Sequence, residues 1–181
     1  DPDSNFVGTK DLHPIVFGVN SQERMRLSLN GNLSFNGTGN SIFIGKGSGN
    51  MDDLEENYNV FIGDSAGLHN TTGVMNVATG YEAMKKNSIG YFNTATGAGS
   101  LTKNSGGNSN CAFGTFSLGS NTNGYLNVAI GFNSLSSNTT GANNTALGAE
   151  SLSSNHTGSY NTASGGLSLV NNTYGSFNSA L

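Results

Sequence analysis

Four carboxylates crowd into one short stretch, Asp52, Asp53, Glu55 and Glu56, which Tyr58 closes. Hard oxygen ligands at that density could hold Ca²⁺. The spacing matches neither an EF-hand loop nor a Gly-Gly-x-Gly-x-Asp repeat. The stretch therefore reads as a solvated, protruding acidic loop. The later acids Asp64, Glu82 and Glu150 are widely separated and offer no carboxylate pair. His13, His69 and His156 share no metal-ligand spacing with one another or with a nearby Asp or Cys, and they read as turn residues. Cys111 is the single cysteine, which excludes an intrachain disulfide and a multi-cysteine zinc site. Ser-Gly phrases that mimic nucleophile elbows or phosphate loops carry no weight, because they recur with a repeat. No catalytic or metal-binding constellation emerges, and the expectation is a non-enzyme without a cofactor.

Aromatic side chains are the stronger candidates for a binding surface. Tyr91, Phe92, Tyr125 and Tyr160 follow one recurring glycine, and Tyr81 and Phe132 follow another. Exposed rings suit stacking on sugars. They equally suit wedging between chains, where large aromatics add most buried area, and that packing role is favoured.

What must position these residues is a repeat. Glycines recur every 17 residues from Gly63 to Gly165, and Gly45 precedes them by 18. Asparagine stands four residues before each, from Asn59 to Asn178, and alanine two before, from Ala78 to Ala180. Met84 and then Leu101 to Leu169 stand four after. A second asparagine series runs from Asn70 to Asn172, with a glycine three residues beyond each member. The unit is Asn-x-Ala-x-Gly-x-x-Ser-Leu-x-x-Asn-x-x-Gly-x-x. Such a period is too short for helix–turn–helix repeats, and its glycines and turn residues disfavour helix.

Composition excludes the common alternatives. The 181 residues include 28 Asn and 27 Gly, only 10% are charged, and 34% are hydrophobic. That is too little Leu, Ile and Val for a layered α/β enzyme, and too little charge and Pro for ordinary disorder. The net charge of −4 falls in residues 1–63, with eight acids against four bases. Residues 64–181 balance three against three and offer no phosphate-neutralising patch, so nucleic acid is not an expected partner. No apolar run is long enough to span a bilayer, so no membrane insertion is expected of this segment.

The repeat therefore predicts an all-β, parallel β-solenoid of about eight 17-residue coils over residues 39–181. Asn-x-Ala-x-Gly is expected to form one short strand and Ser-Leu to sit on a second. Asn-x-x-Gly is expected to turn through a glycine with positive φ. The asparagine columns should stack as amide ladders. The core is expected to be thin. It would hold the Leu, the residue before the strand glycine, and the Val/Thr/Cys column that includes Cys111. Asn, Ala and Gly would form an opposite, small face that another backbone can approach. So thin a core implies chains packed side by side, with three around an axis as the natural closed arrangement.

Two stretches carry a family resemblance: Asn127-Val128-Ala129-Ile130-Gly131-Phe132-Asn133-Ser134-Leu135 and Asn144-Thr145-Ala146-Leu147-Gly148. They resemble the head repeats of YadA-type trimeric autotransporter adhesins, and still more those of phage-like trimeric tail fibres. The adhesin heads usually have a shorter period. The likeness covers about residues 40–181. It implies a left-handed β-roll, a homotrimer, and an extracellular, cell-surface or virion-fibre location. It also implies attachment to a glycan or cell-surface receptor rather than catalysis. Residues 1–38 read as an N-terminal β-hairpin cap or connector. Strands are expected around Ile15–Asn20, Met25–Leu29 and Asn32–Phe35, with a type I′ turn at Asn30-Gly31. The stretch Asn5–Thr9 adds to a resemblance to a module that precedes such repeats in tail-fibre proteins. Both chain ends read as cuts in a longer protein. The alternative functions are a purely spacer solenoid or an ice-binding one. Ice binding would need an unbroken Thr-x-Thr ladder, which Val77, Cys111 and Val128 interrupt.

Overall fold

A computed structural model describes residues 13–19, 21–30, 32–35, 39–53 and 55–181. These residues are all-β, and no helix occurs among them. Strands β1 (Ile15–Val19), β2 (Gln22–Leu27) and β3 (Leu33–Phe35) form a three-stranded antiparallel sheet in that order. A register shift falls between Phe17 and Gly18, and pairing of β2 with β3 ends at Leu27–Leu33. Beyond it the Ser28 N–H donates to the Asn32 carbonyl (2.8 Å), and the Asn32 N–H to Ser28 Oγ (3.1 Å). The strands thus stop short of the tight Asn30-Gly31 hairpin that was expected. Gly31 and residues 5–9 lie outside the described residues.

The repeat builds a parallel β-solenoid of about eight turns. Its strands are β4 (Ile42–Ile44), β5 (Val60–Ile62), β6 (Val77–Thr79), β7 (Thr94–Thr96), β8 (Cys111–Phe113), β9 (Val128–Ile130), β10 (Thr145–Leu147), β11 (Thr162–Ser164) and β12 (Ser179–Ala180). They form one nine-stranded sheet in chain order. Register follows the sequence period, as in Ala78–Ala95 and Ala95–Ala112. At the ordinary spacing between strands the stack is roughly 40 Å long.

Each strand is short because a glycine ends it. From Gly63 to Gly165 this column holds φ between +120° and +136°, a region open essentially to glycine alone. A Cβ on Gly80 would also stand 2.8 Å from the carbonyl of Gly97 in the next coil. The expected second strand does not form. The Ser-Leu segment is a run of turns, in which Leu101, Leu118, Leu135, Leu152 and Leu169 adopt φ of 48–52°. A left-handed backbone costs a side-chain-bearing residue about 1–2 kcal/mol. Burial of Leu, complete at Leu101, Leu118, Leu135 and Leu152 and worth about 1.5–3 kcal/mol, offsets that cost. Not one non-glycine residue with positive φ among those described is Val, Ile or Thr, the types that crowd most there.

The expected alternation holds, but the core lies on the other side of it. Ala78, Ala95, Ala112, Ala129, Ala146 and Ala163 are fully buried, as are the facing leucines from Leu101 to Leu152, and the asparagine columns are buried from Asn59 to Asn161 and from Asn70 to Asn155. The residue before the strand glycine points outward: Ile62, Phe113, Ile130 and Leu147 are 37–44% exposed. Cys111 is half-buried on the same outer face, so it is not a core residue. The reason is thickness. Two passes of one coil lie too close for a pair of large side chains, so alanine meets leucine between them. The backbone that approaches the alanine face belongs to the same chain.

Candidate functional site

The inward asparagines form two hydrogen-bonded ladders. In the first, Asn110 donates its N–H (3.0 Å) and Nδ2 (3.1 Å) to Asn93 Oδ1, and Asn127 repeats both bonds onto Asn110. In the second, Asn121 Nδ2 donates to Asn104 Oδ1 at 2.8 Å. The two ladders meet at the glycine that follows the second asparagine. The Gly124 carbonyl accepts Nδ2 of both Asn110 (2.8 Å) and Asn121 (3.0 Å). This glycine has no positive φ, contrary to expectation. It is glycine because a Cβ on Gly124 would collide with Asn121 Oδ1 and the Gly141 carbonyl, and would stand 2.8 Å from Asn138 Nδ2. Every amide points its nitrogen toward the preceding coil, so the first coil must end on acceptors.

Asp52 supplies one. It occupies the second asparagine column one coil before Asn70, and its Oδ2 accepts Nδ2 of Asn70 (3.1 Å) and of Asn59 (3.3 Å). Its Oδ1 accepts Asn57 Nδ2 at 3.2 Å. Ser41 does the same for the first ladder, accepting the Asn59 N–H on its Oγ at 2.9 Å. Asp53 accepts Asn57 Nδ2 (2.7 Å) and the Glu55 N–H (3.1 Å). Glu56 accepts the Tyr58 hydroxyl at 3.0 Å, which raises the Tyr58 phenol above its ordinary range. The acidic segment is thus folded onto the end of the ladders at Asp52 and Asp53. Asp53, Glu55, Glu56 and Tyr58 remain exposed to solvent.

The aromatic candidates are all exposed, but they do not join into one platform. Tyr58, Phe92 and Tyr160 share the column before the first asparagine, and Tyr91 and Tyr125 share the one before that. Phe92 and Tyr160 are separated by four coils. Local pairs form instead: Tyr91 meets Phe92 edge-on at 5.2 Å, and Tyr160 stacks on Phe177 at 4.9 Å. Sequence reasoning passed over Phe116 and placed the column of Phe113 in the core, yet both rings are equally exposed. Their positions in the coil signalled it, since each replaces a smaller or polar residue.

His69 Nδ1 lies 3.0 Å from the Met51 sulfur, and His156 packs its ring on Tyr174 at 5.8 Å. Among the described residues no three His, Cys, Asp or Glu side chains gather to hold a metal. Burial pushes the Cys111 thiol above its ordinary range, the reverse of what an activated nucleophile needs. No helix among the described residues is long and apolar enough to cross a membrane. The chain matches no protein-family model, no curated protein and no solved structure.

Proposed function

We propose that this chain is a segment of a homotrimeric fibre, of the surface-adhesin or phage-like tail-fibre kind, which attaches to cell-surface or glycan targets without catalysis. The observation that supports this reading is the outer surface of the parallel sheet. Ile44, Ile62, Phe113, Ile130 and Leu147 lie exposed in one column, and Met75, Phe92, Leu126 and Tyr160, each 49–54% exposed, lie in another. Monomers rarely carry aligned apolar rows of this kind uncovered. Parallel copies in step would set each column against its equivalents, and three around an axis close the assembly without open-ended growth. The resemblance of residues 40–181 to adhesin-head and tail-fibre repeats supports the same assembly, and with it an extracellular or virion location. Residues 1–38, which include β1 to β3, then serve as the cap or connector before the roll. Light scattering should give about three times the chain mass of 18.6 kDa. Ile130→Asp should dissociate the assembly, and a stable folded monomer would overturn it.

The ice-binding alternative is less well supported. Thr-x-Thr occurs in β7 alone of the solenoid strands; β6, β10 and β11 carry one outward Thr each, and Val77, Cys111, Phe113, Val128, Ile130 and Leu147 break the array. Thermal hysteresis at micromolar protein would reverse that ranking.

A further inference from the structure

On the turn side of the solenoid the repeat is broken three times at one place. Two residues after the strand glycine, where neighbouring coils carry Glu82, Asn133 and Glu150, one coil carries Phe116, whose side chain is 50% exposed. Its ring lies across Gly99 of the preceding coil, where a Cβ would stand 2.5 Å from the ring Cδ1. Gly119 is the third departure, standing where the coils on either side carry Thr102 and Ser136. The missing side chain opens a depression of about 360 Å³ between Phe116 and the residues Thr102, Lys103, Ser120, Ser136 and Ser137.

Its lining is chemically mixed and open to solvent. The hydroxyls of Thr102, Ser120 and Ser137 make no hydrogen bond within the described chain. Lys103 has no ion-pair partner among the described residues, and it is the sole charged residue between Lys86 and Glu150. The depression thus holds an exposed ring, a rim of hydroxyls and one uncompensated cation. No carboxylate lines it.

We propose that this depression binds an acidic pyranose of the uronic-acid type. A pyranose offers an apolar C–H face and a polar edge, which match the Phe116 ring and the hydroxyls around it. The sugar carboxylate meets Lys103. At the small end of ligand-pocket volumes, the depression takes a single sugar ring. None of the lining residues belongs to a strand or to the outward columns proposed to pack between chains. The inference rests on the attachment reading. A trimer would present the site three times, so weak single contacts would multiply.

The test uses the full chain with methyl β-D-glucuronide and methyl α-D-galacturonide, and methyl β-D-glucoside as the neutral control, followed by saturation-transfer NMR and calorimetry. At least one uronide should bind with a Kd of about 1 mM, and the glucoside about tenfold more weakly. Raising NaCl to about 1 M should weaken uronide binding about fivefold. Lys103→Gln should reduce uronide binding to the glucoside level, and Phe116→Ala should abolish both. Gly119→Thr, which restores the residue type of Thr102, should fill the depression and abolish binding while the chain still melts cooperatively, at a somewhat lower temperature because its Cβ would stand 3.1 Å from the Phe116 carbonyl oxygen. Binding that survives Phe116→Ala and Gly119→Thr would overturn the site while leaving attachment elsewhere on the fibre intact. So would equal binding of acid and neutral sugar. No binding of either uronide at about 10 mM would overturn it as well. The fibre reading fails separately, through the light-scattering result.

Discussion

The ring of Phe61 fills the space that a side chain on Gly67 would need. Both residues belong to one coil and face each other across its interior. Phe43 and Gly49 repeat the arrangement one coil earlier, and the two rings stack at 5.4 Å and 14°. In later coils the partition is reversed, with Ala78 facing Met84 and Ala95 facing Leu101. The interior therefore keeps its volume, while the side of the coil that supplies it changes.

A double-mutant cycle can measure that exchange. Phe61→Ala should cost about 3–5 kcal/mol by opening a cavity. Gly67→Leu alone should also destabilise, through a direct clash with the ring. The pair Phe61→Ala/Gly67→Leu should recover to within about 1 kcal/mol of the parent, the shortfall being the lost stack with Phe43. The backbone is already suitable, since Gly67 has φ +58°, close to that of the leucines in the same column. If the double variant were as unstable as the two losses added, the residues would not share one site.

The ladders predict an asymmetry between Asn and Asp. Asn110→Asp should unfold its coils. A buried carboxylate there would face Asn93 Oδ1 and the Gly124 carbonyl, both acceptors, with no proton to offer. Asp52→Asn, at the acceptor-only end, should cost no more than about 1 kcal/mol, because an amide oxygen still receives Asn59 or Asn70. Denaturant melts of the two variants compare them directly. Equal losses would contradict the polarity of the ladders.

Leu135 predicts a conformational penalty separate from hydrophobicity. It is fully buried at φ +50°. Leu135→Ile keeps the volume but brings a β-branch into the left-handed region, and should cost about 2 kcal/mol or more. Leu135→Met should cost under about 1.5 kcal/mol, since Met84 already holds this column. Thermal melts that rank Ile above Met would count against the left-handed turn.

Cys111 should label slowly with a disulfide reagent at mildly alkaline pH, and much faster once the chain is unfolded. Burial raises its ionisation above the ordinary thiol range, so the thiolate appears later in the folded chain than in the unfolded one. The linked stability is complete below the unfolded thiol range, and it is lost as pH rises through the higher folded one. Labelling as fast as a free cysteine would contradict this.

The sequence alone determined the period, the Asn-x-Ala-x-Gly strand of each coil, the in-register stacking and the asparagine ladders, while the second strand expected at Ser-Leu is a run of turns. These follow from identity between neighbours: when Asn93 and Asn110 hold the same position in successive coils, stacking brings like beside like. The binding candidates were less legible. Asp52 looked like one of four solvated acids because its role depends on Asn59 and Asn70, far along the chain, arriving with amide hydrogens that need an acceptor. Phe116 and Gly119 looked like ordinary variation until the fold set them beside Gly99. Only the tertiary structure decided which face is the interior. Alternation separates small residues from large in either case, but the narrow gap between two passes of one coil admits Ala129 and Leu135 and leaves Ile130 outside. The left-handed leucines were likewise invisible, because the cost at a single residue is outweighed only by burial that the whole coil provides.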